Sequence, residues 1–184
     1  MSITRKITLT AILLALALVF QAIRSFIPMP DHVSVFIIST LVNLCLFLSI
    51  YFVGFWFTLI IAVVTPVVAL LQGHLAFPLF IPLVAAGNAI VIAPWAYLHT
   101  FRNWVSKTVC VIIGSTFKFG LLFYLGPLVF KTFIASSLPM TKQQIIMNVL
   151  SFNFSWPQLI TALAGGFLAI VIGRALEKVV FEKV

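Results

Sequence analysis

Between His32 and Phe101 the sequence contains no Asp, Glu, Lys or Arg, and the whole chain has only three acids, Asp31, Glu177 and Glu182. Charged residues make up 8% of it, against about 25% in soluble domains. With a mean hydropathy of +1.25, this excludes a soluble globule and points to an integral membrane protein. At about 20 residues per span, the uncharged stretch holds about three transmembrane helices by itself, and the whole chain about six. Cysteine is equally scarce. Cys45 and Cys110 lack CxxC spacing and fall in apolar runs, as small buried residues rather than a disulfide or a metal site. Missing too are HExxH, GxSxG and the GxxxxGK[ST] loop of an ATPase. The three histidines sit at separate membrane edges, and no acid meets another acid or a histidine within a span. No catalytic residue and no bound metal are therefore expected. The net charge of +8 comes without a basic patch interleaved with aromatics, so nucleic acid is not an expected partner.

What is present is a succession of apolar runs broken by turn residues. The expected fold is all-α, a single domain of six transmembrane helices at residues 7–27, 35–53, 55–71, 79–99, 108–129 and 156–176. Pro28-Met-Pro-Asp-His32 breaks the chain after the first span, Gly54 makes a tight turn, and Pro66 sits inside the third helix. Gln72 to Pro78 forms an outer loop containing His74. The long connection 130–155 carries Lys131, Lys142 and an amphipathic run from Gln143 to Leu150, suited to a lid or an interfacial helix. Small residues mark two helix faces. Ala162, Gly166, Ala169 and Gly173 suit internal packing in the sixth span. Ala11 and Ala15, in the first, suit either internal packing or a partner subunit.

Six spans put both termini on one side. Arg5, Lys6, Arg102, Lys107, Arg174, Lys178 and Lys183 gather there, against Lys131 and Lys142 opposite, so both ends are expected in the cytoplasm. Arg24, near the outer end of the first span, can snorkel or meet Asp31. Lys118 has no such escape. It lies about ten residues into its helix, roughly 15 Å deep and close to the bilayer centre. A charge there costs about 2.5–3.5 kcal/mol on insertion scales, so it faces protein or a cavity and needs a partner. No acid is at hand. Either a ligand supplies the acceptor, or Asn88 and backbone carbonyls do. Asn88, roughly 13 Å into its helix from outside, shares the level of Lys118.

Lys118 and Asn88 are thus candidate ligand contacts, with Gln158 and Trp156 near the outer end of the sixth span and His74 in the loop above. Trp156 also suits an interfacial belt, Asn88 an interhelical bond and His74 a hydrated loop. Tyr124 is a weaker candidate. It stands six positions from Lys118, about 240° around the helix, and so off the lysine's face.

With its size, its six spans, Arg5-Lys6 before the first helix and Ala11-Ile-Leu-Leu-Ala15 within it, the whole chain resembles the S component of an energy-coupling factor (ECF) transporter. That resemblance implies a prokaryotic, multi-pass cell-membrane protein. It implies capture of a vitamin from outside and docking through Ala11 and Ala15 onto a transmembrane coupling subunit. Two separate ATPase subunits use the ATP, and this chain itself carries no cofactor. The lack of an acidic pocket residue disfavours a cationic vitamin. The expected ligand is a small neutral or weakly anionic ring, with hydroxymethylpyrimidine or pyridoxine favoured. The rival from another class is a self-contained homo-oligomeric channel or facilitator.

Overall fold

A computed structural model describes residues 1–27, 29–98 and 103–181, with the side chains of Asp31, Leu98 and residues 178–181 excepted. The expectations for Arg102, Lys183 and an Arg24–Asp31 pair fall outside the described residues and side chains, as does His99 at the end of the fourth expected span.

The described chain is helical: α1 (Ile3–Phe26), α2 (Asp31–Phe52), α3 (Phe55–Leu71), α4 (Phe80–Leu98), α5 (Trp104–Val129), α6 (Met140–Asn153) and α7 (Trp156–Phe181). Five helices are long and apolar enough to cross a membrane, and α3 is a shorter apolar helix of 17 residues. This is the architecture of a multi-pass membrane protein. In lipid, only a backbone that satisfies its own polar groups can span, and a helix does so within one segment.

Several boundaries differ from those read in the sequence. α2 begins at Asp31 rather than 35, because Pro30 is the N-cap and the polar pair Asp31-His32 occupies the first turn. α5 begins at Trp104 rather than 108, so Lys107 belongs to a helix and not to a loop. The connection 130–155 is largely ordered helix. α5 runs on through a π turn (Phe130–Ile134) and a 3₁₀ turn (Ala135–Ser137) before α6. α7 continues past residue 176 to Phe181. Hydropathy marks where a helix is apolar, whereas backbone pairing carries it a turn or two further into polar residues. Gly54 links α2 to α3 with φ 92°, a left-handed conformation that side-chain-bearing residues rarely take.

Packing divides the molecule into two ends. Around the side that holds the termini, Leu46, Phe47, Val91, Ile92, Val111, Ala162 and Ile170 form a dense core. Two glycines allow its closest approaches. A Cβ on Gly114 would collide with the carbonyl oxygen of Val91, joining α5 to α4, and one on Gly165 would lie 2.7 Å from the Thr40 oxygen and 2.8 Å from Asn43 Cβ, joining α7 to α2. Ala162, Gly166, Ala169 and Gly173 are all buried, as internal packing of that face requires. At the termini-side end the Tyr51 hydroxyl donates to Glu177 Oε1 (2.7 Å) and accepts from Lys107 Nζ (2.5 Å), tying α2, α7 and α5 together. At the other end, Phe80, Leu122, Phe130, Leu150 and Phe154 form a smaller cluster under α6. Between the two ends the helices part around a cavity.

Candidate functional site

The site starts from a proline. Pro66 lacks an N–H, so within α3 it leaves the carbonyl of Ala62, four residues back, without its helical donor. Asn88 on α4 fills the gap: its Nδ2 donates to Ala62 O (3.4 Å) and to Thr65 Oγ1 (3.3 Å). That commitment turns the other end of the amide, Oδ1, towards α5. There the ammonium of Lys118 donates to Asn88 Oδ1 (3.0 Å) and to Asn43 Oδ1 on α2 (2.8 Å). Lys118 is 4% exposed, Asn43 1% and Asn88 4%, so this is a buried amine held by two amide oxygens. Gln21 on α1 extends the network by donating from Nε2 to Thr65 O (3.1 Å), while its Oε1 has no partner among the described residues. Five helices, α1 to α5, thus converge on one lysine-centred group.

No carboxylate among the described side chains joins it. Glu177 is engaged at the far end by Tyr51 and Lys107, and Asp31 heads α2 twelve residues from Asn43, about 18 Å away along the helix. Glu182 lies outside the described residues. Nor do any three His, Cys, Asp or Glu among the described residues come together in a way that could hold a metal ion.

Above this group is a cavity of about 210 Å³. Lys118, Asn43 and Asn88 form its floor, Gln21, Thr65 and Pro66 one wall, and Val35, Ile38, Ser39 and Val42 of α2 another. Arg24 and the α3–α4 loop with His74 lie towards the outer end, and α6 covers it with Val149, Leu150 and Asn153. Phe80 and Phe154, edge to face at 5.4 Å, supply aromatic surface. Two glutamines fix the cover in place. Gln143 Nε2 donates to Ala135 O (2.7 Å) and Leu138 O (2.8 Å) at the start of α6, and Gln158 Nε2 donates to Asn153 O (2.9 Å) at its end.

Of the residues singled out in the sequence, the structure brings Lys118, Asn88, Gln158 and His74 together around this cavity. Trp156 and Tyr124 are not among its lining. Trp156 is half exposed at the start of α7, packed on Phe36 (ring centroids 5.4 Å) and Phe152 (5.9 Å). Tyr124 is 74% exposed on the outer face of α5, as its angular offset from Lys118 dictates. Sequence reasoning missed Asn43, Thr65 and Gln21. Asn43 carried a usable signal, being the lone amide in the apolar run of α2. Gln21 carried the same signal as the lone amide of α1, and Thr65 carried none, because only helix packing brings Asn88 and Gln21 to it.

His74 has a pH consequence. Burial, and secondarily the positive charge of Arg24, lower its pKa from 6.5. The folded protein therefore prefers the neutral imidazole. As pH falls through 6.5 the unfolded chain takes up the proton first, so stability is full above that value and declines below it until the folded-state pKa is passed. Melting curves in detergent from pH 7.5 to 5 are expected to show this decline in the wild type and a shallower one in His74→Asn. Equal slopes would show that His74 does not contribute.

No protein-family model, no curated protein and no solved structure matches the chain, so its functional reading rests on the chemistry of this cavity.

Proposed function

We propose that the chain is the substrate-capturing membrane subunit of an ATP-driven ECF-type importer in a prokaryotic cell membrane. In this reading α1–α5 and α7 are six spans with both termini cytoplasmic, on the basis of the basic residues at that end. The observation that carries the proposal is the cavity itself. It lies beyond the lysine on the side away from the termini, is covered by a short helix, and ends on the buried amine of Lys118, with no carboxylate beside it among the described side chains. Below that ammonium Phe47, Val91, Val111 and Ile170 close the interior, which favours capture of a molecule over conduction through a pore.

Its size supports a small ligand. About 210 Å³ is below the ~300–1,000 Å³ of sites for drug-sized molecules. A single neutral or weakly anionic ring of the hydroxymethylpyrimidine or pyridoxine kind is of suitable size. Uphill transport needs an energy source, and the chain has no nucleotide loop. The source in this reading is a coupling subunit with two ATPase subunits.

The docking face is α1. Ala11 and Ala15 are exposed, not packed inside the chain, and they lie in a stripe with Ile7 (55% exposed), Leu16 (38%) and Val19 (61%). Small residues four apart let a partner helix approach closely in lipid, where packing drives association. Co-expression with coupling and ATPase subunits is expected to give a complex that purifies intact. Ala11→Trp or Ala15→Trp should reduce recovery of the partners at least about ten-fold without changing the variant's own elution profile. A stable homo-oligomer with ATP-independent flux would sink the proposal in favour of a channel. Native mass spectrometry of the purified chain names any ligand it retains.

A further inference from the structure

We infer that the ligand of this cavity carries a carboxylate, and that the carboxylate docks on Lys118 and Asn43. This deepens the proposed capture role, on which it rests, and narrows its ligand away from hydroxyl-bearing neutral rings.

The inference comes from counting donors and acceptors at the floor. An ammonium has three N–H donors and accepts nothing. Two of those of Lys118 go to Asn43 Oδ1 and Asn88 Oδ1, leaving one. Both amide oxygens face the ammonium, since an amide NH₂ turned towards it would set donor against donor. The Nδ2 of Asn88 is already engaged by Ala62 O and Thr65 Oγ1. Asn43 Nδ2 makes no hydrogen bond among the described residues. The floor therefore offers the cavity two donors, one on Lys118 and one on Asn43, and both residues line it. What satisfies two neighbouring donors beside an uncompensated positive charge is a group with two acceptor atoms and a negative charge. A carboxylate is the smallest such group, and charge-assisted bonds to it are about twice as strong as neutral ones. An alcohol satisfies one of the two donors and leaves the charge uncompensated. A primary amide brings one acceptor and an NH₂ in place of the second. The aromatic edges of Phe80 and Phe154 suit a flat ring behind the carboxylate.

The test holds the ring constant and varies the group. Pyridine-3-carboxylate, pyridine-3-carboxamide and 3-(hydroxymethyl)pyridine are titrated into the purified full-length chain in detergent at pH 7. The carboxylate is expected to bind at least about ten-fold more tightly than either of the others. Lys118→Met should bring it down to their level. Asn43→Asp places an anion within bonding reach of the ammonium, keeps Lys118 partnered, and is expected to weaken the carboxylate at least ten-fold in a folded protein. Equal or tighter binding of the amide or alcohol overturns the inference, as does failure of all three to bind at millimolar concentration. Either result leaves the transporter reading standing, because that reading is decided separately by co-purification with the ATPase module.

Discussion

Asn43→Leu is expected to destabilise the protein by about 2–3 kcal/mol, and Lys118→Met added to it to restore part of that loss. The reason is that the two substitutions act on one bond from opposite ends. Removing the amide leaves the buried ammonium of Lys118 with Asn88 as its remaining protein acceptor, and a buried group left short of partners costs about 1–3 kcal/mol, more when it is charged. Removing the ammonium as well takes away the group that needed the acceptor. Lys118→Met alone strands two amide oxygens, but each is neutral, so its cost is the smaller of the two single changes. The double variant should therefore be more stable than Asn43→Leu, with a coupling of about 1–2 kcal/mol. Unfolding in detergent of the wild type and three variants measures it. Strict additivity would mean that the Lys118–Asn43 bond contributes nothing to folding.

How much of this was legible beforehand depends on which physical signal each feature leaves. Apolar runs with turn residues between them gave the helix order, and α3 was read at its observed bounds because Gly54 and the Gln72-Gly73 turn punctuate it on both sides. α6 was legible only as an amphipathic run, since nothing local says whether such a segment lies on lipid or over a cavity. Lys118 and Asn88 stood out as polar residues in apolar helices, where an unpartnered group is too costly to be idle. Their shared depth allows the direct bond between them, whereas Asn43 as the second acceptor depends on which faces of α2 and α5 meet. Pro66 was read as a kink. Its larger effect, a freed carbonyl that orients Asn88, appears only when α4 is laid beside α3. Trp156 is ambiguous by residue type, since an aromatic at a helix end suits a pocket or an interface equally; it packs on Phe36 and Phe152 and does not line the cavity. Gly114 and Gly165 left no mark in the pattern, because a glycine looks the same whether it faces lipid or a backbone.

Gly114 is where that blindness matters most. Gly114→Ala is expected to cost about 2–3 kcal/mol of stability and to abolish ligand binding, although the residue is not among those lining the cavity. The added methyl would meet the Val91 carbonyl oxygen. Overpacking of a tight contact typically costs about 1–3 kcal/mol, and here the obstacle is backbone, so no rotamer change can relieve it. α4 and α5 must move apart. Asn88 lies one turn from Val91 on α4 and Lys118 one turn from Gly114 on α5, so the separation falls on the 3.0 Å bond between them. Gly120→Ala is the control on the same helix. A Cβ there meets nothing within 4 Å, and replacing a helical glycine by alanine is worth roughly 0.5–1 kcal/mol in favour of the fold. The two variants should thus shift the melting temperature in opposite directions, with ligand affinity lost in the first and retained in the second. If Gly114→Ala keeps wild-type affinity, the spacing of α4 and α5 does not control the lysine's partners, and the floor of the cavity is held by α2 alone.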